Sequence, residues 1–294
     1  MDKKSCLYLF YALRPKHWIK NGFVFIPLIF GRKLFTYPDN MRVVFAAFIF
    51  CLASSSVYLL NDALDLSADK AHPVKRLRPL ASGHITWAQS AVTFTVLGFC
   101  SAVLAFRVDP VFGGIVTAYL FMNILYSRYL KKIALIDVAC VALFFLLRII
   151  AGTIVAQVKF SHWMIFMIVF LAMFLAFIKR RQDIRFVTDN TQESETSQPK
   201  YSLHFIDWIV AVLTSSIVLV YMMYTIDSRT VHEFGNKRLI FTIPFVYYGI
   251  FRYLYLMNKK DYGGDPTFIV FKDRATLLNI LLWGMVCIVL IYFY

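Results

Sequence analysis

Three stretches of this chain, residues 86–106, 161–178 and 275–294, contain no Asp, Glu, Lys or Arg. Each is about as long as the hydrocarbon core of a bilayer requires. Residues 43–60, 110–126, 133–155, 208–226 and 239–257 are nearly as apolar. Residues 21–31 are short, but the apolar stretch 7–13 before them makes a further span beginning near Trp18 reasonable. These runs are continuously apolar rather than alternating, which argues against a transmembrane barrel. In lipid, every backbone polar group must find its partner within its own segment, so each span is expected to be a helix. The expectation is an all-α integral membrane protein with about nine transmembrane helices, forming one membrane domain over residues 1–294.

The net charge of +14 could suggest a nucleic-acid partner, but its placement points to a bilayer. If the N-terminus is cytoplasmic and the spans alternate, the far side receives Arg32, Lys33, Arg42, Arg107, Lys159, Arg229, Lys237 and Arg238. Arg148 and Arg252 fall inside spans, and the other 21 of the 31 Lys and Arg lie on the cytoplasmic side. That asymmetry obeys the positive-inside rule. No small-residue cleavage site follows the first apolar stretch, so no cleaved signal peptide is expected. Cys6, Cys51, Cys100, Cys140 and Cys287 lack metal-ligand spacing, as do the six histidines, and read as packing residues.

Asp62, Asp65 and Asp69 stand where one apolar stretch ends, at spacings of three and four that put them on one helix face. Like charges crowded in this way call for a counter-ion. Mg²⁺ characteristically bridges one or two carboxylates to substrate phosphates. Asn61 adds a neutral oxygen ligand or an orienting amide. Lys75, Arg76 and Arg78 follow closely, and Arg suits bidentate phosphate recognition. Three further groups could meet anions at the same surface. Arg14, Lys16 and Lys20 surround Pro15 and Trp18. Lys179 and Arg180 close the span that ends near residue 178, and Tyr126 lies near the end of the span over 110–126. Arg148 lies well inside a span, on the same face as Asp137 three turns earlier. A charge at that depth is by default a candidate for function, with a buried structural pair as the alternative.

Asn61, Asp62, Asp65 and Asp69, followed by Arg76, Arg78, Pro79, Leu80, Ala81 and Gly83, resemble the UbiA superfamily of intramembrane prenyltransferases. The resemblance covers essentially the whole chain. It implies a UbiA-like helical bundle whose central cavity opens to the cytoplasmic side, with active-site loops near 61–85 and 179–205 and a further loop near 258–274. Aromatic prenyltransferases of the superfamily carry a second Asp-x-x-x-Asp motif in the later active-site loop. Here that place holds Lys179-Arg180-Arg181-Gln182-Asp183. With Arg14-Pro15-Lys16, His72-Pro73, Leu147-Arg148, Gly152, the Asp261–Pro266 loop and Asp273-Arg274, the pattern is similar to the decaprenyl-phosphate phosphoribosyltransferase branch.

What the branch implies is specific. The donor is 5-phosphoribosyl 1-diphosphate, the acceptor a polyprenyl phosphate lipid, and Mg²⁺ the cofactor, held by Asp62, Asp65 and Asp69. Asn61, Lys16, Lys20, Lys75, Arg76, Arg78, Tyr126, Arg148, Lys179 and Arg180 are the expected substrate-binding residues. The setting is a bacterial plasma membrane, with the product feeding cell-envelope pentose synthesis and a homo-oligomer left open. Two other readings remain at this point: an aromatic prenyltransferase of quinone or haem biosynthesis, and a secondary transporter of an anionic metabolite.

Overall fold

A computed structural model describes residues 3–159, 161–190, 201–258 and 272–293, with the side chains of 3, 4 and 186–190 not described. The loop expected over 189–199, the cations Lys200, Lys259 and Lys260, and the Asp261–Pro266 motif lie outside the described residues or their side chains. All regular structure among the described residues is helical. Among the described residues eight helices are long and apolar enough to cross a membrane, at Asp39–Leu64, Trp87–Val108, Pro110–Arg128, Ile136–Ala156, His162–Arg185, Leu203–Ile226, Arg238–Asn258 and Arg274–Tyr292. The described chain divides into two compact units, residues 1–137 with 147–159, and 138–146 with 160–294.

The first unit opens with α1 (Lys3–Ala12), then a 3₁₀ segment over Pro15–Phe25 and the short α2 (Ile26–Phe30). The long α3 (Asp39–Leu64) and short α4 (Leu66–Ala71) follow, then α5 (Trp87–Val108), α6 (Pro110–Arg128) and α7 (Ile136–Ala156), whose second half belongs here. Local chemistry sets the helix starts. Thr86 and Gln89 form a reciprocal capping box at the head of α5. The Asp109 carboxylate accepts from the Val111 and Phe112 amides at the head of α6, with Pro110 in the first turn. α3 packs against α5, α6 and the 3₁₀ segment, burying Val43, Ile49, Phe50, Val57, Leu59, Phe112 and Val116.

The further span expected to begin near Trp18 falls on this 3₁₀ segment and α2, outside the eight helices of membrane length. It runs antiparallel to α3 for almost the whole length of that helix. Arg14 reaches Asp62, Trp18 reaches Ser55, Asn21 reaches Ser54 and Cys51, and Lys33 reaches Asp39. Eleven residues at ~2.0 Å and five at ~1.5 Å extend about 30 Å, the thickness of a bilayer core. Gly152 of α7 permits a close approach here: a Cβ at that position would lie 2.2 Å from the Val24 carbonyl oxygen.

The second unit contains the first half of α7, α8 (His162–Asn190), α9 (Leu203–Ile226), the short α10 (Ser228–Phe234), α11 (Ile243–Asn258) and α12 (Arg274–Tyr292). α8 packs on α9, which meets α11, and α11 lies along α12. Val138, Phe174, Phe177, Ile206, Leu213, Ile217 and Tyr253 form its core. Tyr221 and Thr242 share a 2.6 Å hydrogen bond, and Trp283 Nε1 donates to Tyr221 at 3.0 Å. Asp273 caps α12 and takes the Arg252 guanidinium at 2.8 Å, which holds its carboxyl well below the ordinary range.

If residues 15–30 cross the layer that α3 crosses, the two ends of the chain lie on opposite faces. Reporter fusions at each end should show one terminus on the cytoplasmic face and the other across the membrane. Both reporters active on one face would mean that this segment turns back.

Candidate active site

The acidic cluster is built by a near-continuous helix. α3 ends at Leu64, but the Asp65 amide still donates to the Asn61 carbonyl at 2.9 Å, and the Asp69 amide to Asp65 at 2.8 Å. The turn persists through the junction, so Asp62 and Asp69 come to the same side. Both are buried, at 3% exposure, and Asp65 is half-buried.

Each carboxylate has a cation. Arg78 Nη1 lies 3.1 Å from Asp62 Oδ1 and 2.6 Å from Asp69 Oδ2, so one guanidinium nitrogen joins two carboxylates. Arg14 pairs with the same Asp62 oxygen, and its guanidinium also stands 4.9 Å from the centre of the Tyr58 ring. Lys131, from the 3₁₀ turn Leu130–Lys132 after α6, pairs with Asp65. Ser127 Oγ bridges the Asn123 carbonyl and the Asn61 side-chain oxygen, which orients the Asn61 amide.

This geometry sorts the expected residues. Asp62, Asp69 and Arg78 meet directly, while Asn61 and Asp65 at the same helix end have Ser127 and Lys131 as partners. Lys75 and Arg76 are exposed on the turn Lys75–Leu77 just before Arg78. That loop ends at Gly83, whose φ of +80° favours glycine. Tyr126 is half-buried beside Ser127, Lys16 is exposed, and Lys20 is half-buried on the 3₁₀ segment. Arg148 is not among the residues gathered at the carboxylates. Its Nε donates to Asn21 Oδ1 at 2.8 Å and its Nη2 to the Tyr119 hydroxyl at 3.0 Å. Its guanidinium stands 5.7 Å from the Phe50 ring and 4.9 Å from the Tyr119 ring. Asn21 also meets Cys51, and eleven residues of α3 separate Cys51 from Asp62, about 16 Å along the axis. Arg148 therefore ties α7 to α6 and the 3₁₀ segment at mid-span.

Lys179 and Arg180 belong to the second unit. Lys179 is exposed, and Arg180 lies 3.6 Å from Asp183 one turn on. Their neighbour Arg181 has its Nε 2.6 Å from Asp207 Oδ1, and its Nη2 donates to Asn258 Oδ1 at 3.0 Å. These three residues line a cavity of about 320 Å³ with Ile178, Val210 and Leu254.

Three contacts were not anticipated. Arg14 was grouped with Lys16 and Lys20 without being matched to Asp62, and its place before Pro15 was the available signal. Lys131 stood in a basic run with the ordinary look of a membrane-edge anchor. Ser127 carried no signal at all.

A divalent cation fits the donor set in part. Among the described residues no three acidic, His or Cys side chains converge as a ready-made metal site. Asp62 and Asp69 do converge, on one Arg78 nitrogen. Mg²⁺ bound to substrate phosphates needs only one or two carboxylates, and it usually keeps several waters.

Eight membrane-length helices among the described residues, with buried carboxylates held by arginines at the end of one of them, define a polytopic membrane protein. The chain belongs to the UbiA prenyltransferase family, whose model matches residues 24–271. It is 28% identical over 289 residues to the decaprenyl-phosphate phosphoribosyltransferase of Mycolicibacterium smegmatis, covering 92% of this chain and 88% of that one. The enzyme of the same name from Corynebacterium glutamicum is 29% identical over 288 residues, covering 96% and 86%. Among solved structures, a UbiA homolog from Archaeoglobus fulgidus bound to DMAPP and Mg²⁺ superposes with a TM-score of 0.70 at 16% identity, covering 95% of this chain and 98% of that one. At that identity the likeness shows the fold.

The pairs around Asp62 should behave as one network. Charge-assisted hydrogen bonds are worth about 1.5–3 kcal/mol, so Arg78→Ala should cost stability on that order. In an Asp62→Asn background it should cost less, with a coupling of about 1 kcal/mol or more. Denaturant titration of the four proteins in one detergent checks this, and additive effects would mean that the pair is not coupled.

Proposed function

We propose that this protein transfers 5-phosphoribose from 5-phosphoribosyl 1-diphosphate to a polyprenyl phosphate and releases diphosphate. The observation that carries this reading is the carboxylate pair Asp62–Asp69, set among Arg14, Arg78 and Lys131, in a chain whose later loop has Lys179 and Arg180 where an acidic motif would serve a prenyl diphosphate. The names of the relatives from Mycolicibacterium and Corynebacterium support it.

The donor has phosphate at both ends, so it calls for two kinds of grip. Asp62 and Asp69, with Asp65 beside them, would hold Mg²⁺, which when bound neutralises charge on the departing diphosphate. Arg14, Arg78 and Lys131 are the nearest cations, and each is able to turn from a carboxylate to a phosphate oxygen. Asn61, oriented by Ser127, offers a neutral oxygen and amide at the same place. Lys75 and Arg76 lie exposed beside Arg78, and Lys16, Lys20 and Tyr126 complete the polar surroundings. Lys179 and Arg180 would grip the second phosphate directly.

The acceptor is already an anion and needs no general base. Its phosphate oxygen forms a bond to the anomeric carbon while the bond from that carbon to the diphosphate oxygen breaks, and diphosphate leaves with the electron pair. The developing positive charge on the sugar gives the transition state oxocarbenium character. Catalysis then rests on positioning and on charge stabilisation at the leaving group. The reading includes a bacterial plasma membrane, with the carboxylate cluster on the cytoplasmic face and a product used for cell-envelope pentose sugars.

Purified protein given Mg²⁺, labelled 5-phosphoribosyl 1-diphosphate and a polyprenyl phosphate should move label into the organic phase as an acid-labile lipid. Label that stays in water, with prenyl transfer to an aromatic acid instead, would overturn the reading. Lys179→Ala or Arg180→Ala should weaken donor binding about ten- to a hundredfold, the equivalent of one charge-assisted hydrogen bond. Isothermal titration with the donor checks this, and unchanged affinity would remove both residues from the site.

A further inference from the structure

α1 has two apolar faces, one packed on the protein and the other largely exposed. Ser5, Tyr8, Leu9 and Ala12 lie on the packed face. Tyr8, Leu9 and Ala12 join Leu59, Leu80 and Ile85 in a small core. The Tyr8 ring lies 3.9 Å from that of His84, and Gln89 Nε2 donates to Ser5 Oγ at 3.4 Å. Residues 6, 7, 10 and 11 fall on the opposite face, at the spacing of one helix side. Leu7 is 51% exposed, Phe10 48% and Tyr11 58%.

The position of the helix identifies what covers that face. α1 ends two residues before Arg14, which pairs with Asp62 at the end of the membrane-crossing α3. The segment after Arg14 then descends beside α3, its Trp18 set edge-on to Phe10 with ring centres 6.4 Å apart. The free face is thus continuous with the lipid-facing surface, at the depth where a spanning helix leaves the bilayer. Asp2 precedes Lys3 and Lys4 at the start of the helix and the exposed Lys16 follows it, so the sequence flanking the apolar face has a net positive charge. An apolar face with basic flanks fits anionic headgroups over acyl chains.

We propose that α1 lies in the headgroup layer of the membrane face that holds the carboxylate cluster, with Leu7, Phe10 and Tyr11 seated on anionic phospholipid. Arg14 follows this helix by two residues, and the helix packs on Leu80 and Ile85 just after Arg78, so both arginines of Asp62 adjoin an element that rests on the bilayer surface. The proposal does not depend on which reaction the site performs.

Cys6 lies on the exposed face and supplies the probe. In a Cys100→Ala variant, Cys6 is the exposed thiol among the described residues and can carry an environment-sensitive fluorophore. In nanodiscs containing phosphatidylglycerol, its emission should be blue-shifted. It should fall by about half on lipid brominated near the top of the acyl chain, since interfacial helices sit roughly 5–10 Å deep. Pure phosphatidylcholine should lessen both effects, and adding Phe10→Asp and Tyr11→Asp should remove them. Water-like emission that brominated lipid leaves unchanged would overturn the proposal. Equal effects in the two lipids would overturn the anionic partner.

Discussion

Asp62 is the point on which the first unit is organised. A carboxylate buried to 3% exposure at the end of an apolar helix is costly to ionise unless it is paired. Two arginines from separate segments meet that requirement, one from the N-terminal arm and one from the loop after α4. Satisfying one charge therefore fixes two segments that sequence separation alone would leave independent. Asp69 then shares Arg78, and the helix turn preserved through Asp65 keeps it within reach.

The arm that delivers Arg14 needs its own support inside the bilayer. A 3₁₀ segment of eleven residues is long for that geometry, and side-chain hydrogen bonds hold it to α3. Trp18 donates to Ser55, Ser55 donates to the Leu13 carbonyl, and Asn21 donates to Ser54. Arg148, buried in the same unit, closes the set by donating to Asn21 and to the Tyr119 hydroxyl. Ser54, Ser55 and Ser56 read as small polar residues in an apolar run, yet Ser54 and Ser55 make the rungs that set the register.

Much of this was legible in the sequence because bilayer physics leaves few choices. Charge-free runs of bilayer length become helices. Helical spacing brings Asp62 and Asp69 to one side, so the long helices and that carboxylate pair could be read directly, while Asp65 turns to Lys131. What escaped was the pairing between distant segments. Nothing local says that Arg14 meets Asp62 or that Lys131 meets Asp65, because 48 and 66 residues separate the partners. Arg148 was recognised as unusual from its depth alone, but its partners Asn21 and Tyr119 are neutral and left no charge pattern to follow. Residues 21–31 fall short of a bilayer at an α-helical rise, and the 3₁₀ rise over Pro15–Phe25 makes the stretch longer.

The account makes Asp62 and Asp69 a pair whose protein cations give way to a metal-bound diphosphate. Electron paramagnetic resonance of Mn²⁺ titrated into the purified protein addresses this directly, with and without 5-phosphoribosyl 1-diphosphate. Free Mn²⁺ signal should be lost steeply only when donor is present, and Asp62→Asn or Asp69→Asn should abolish that loss. Equal Mn²⁺ binding with and without donor, or binding untouched by either substitution, would contradict it.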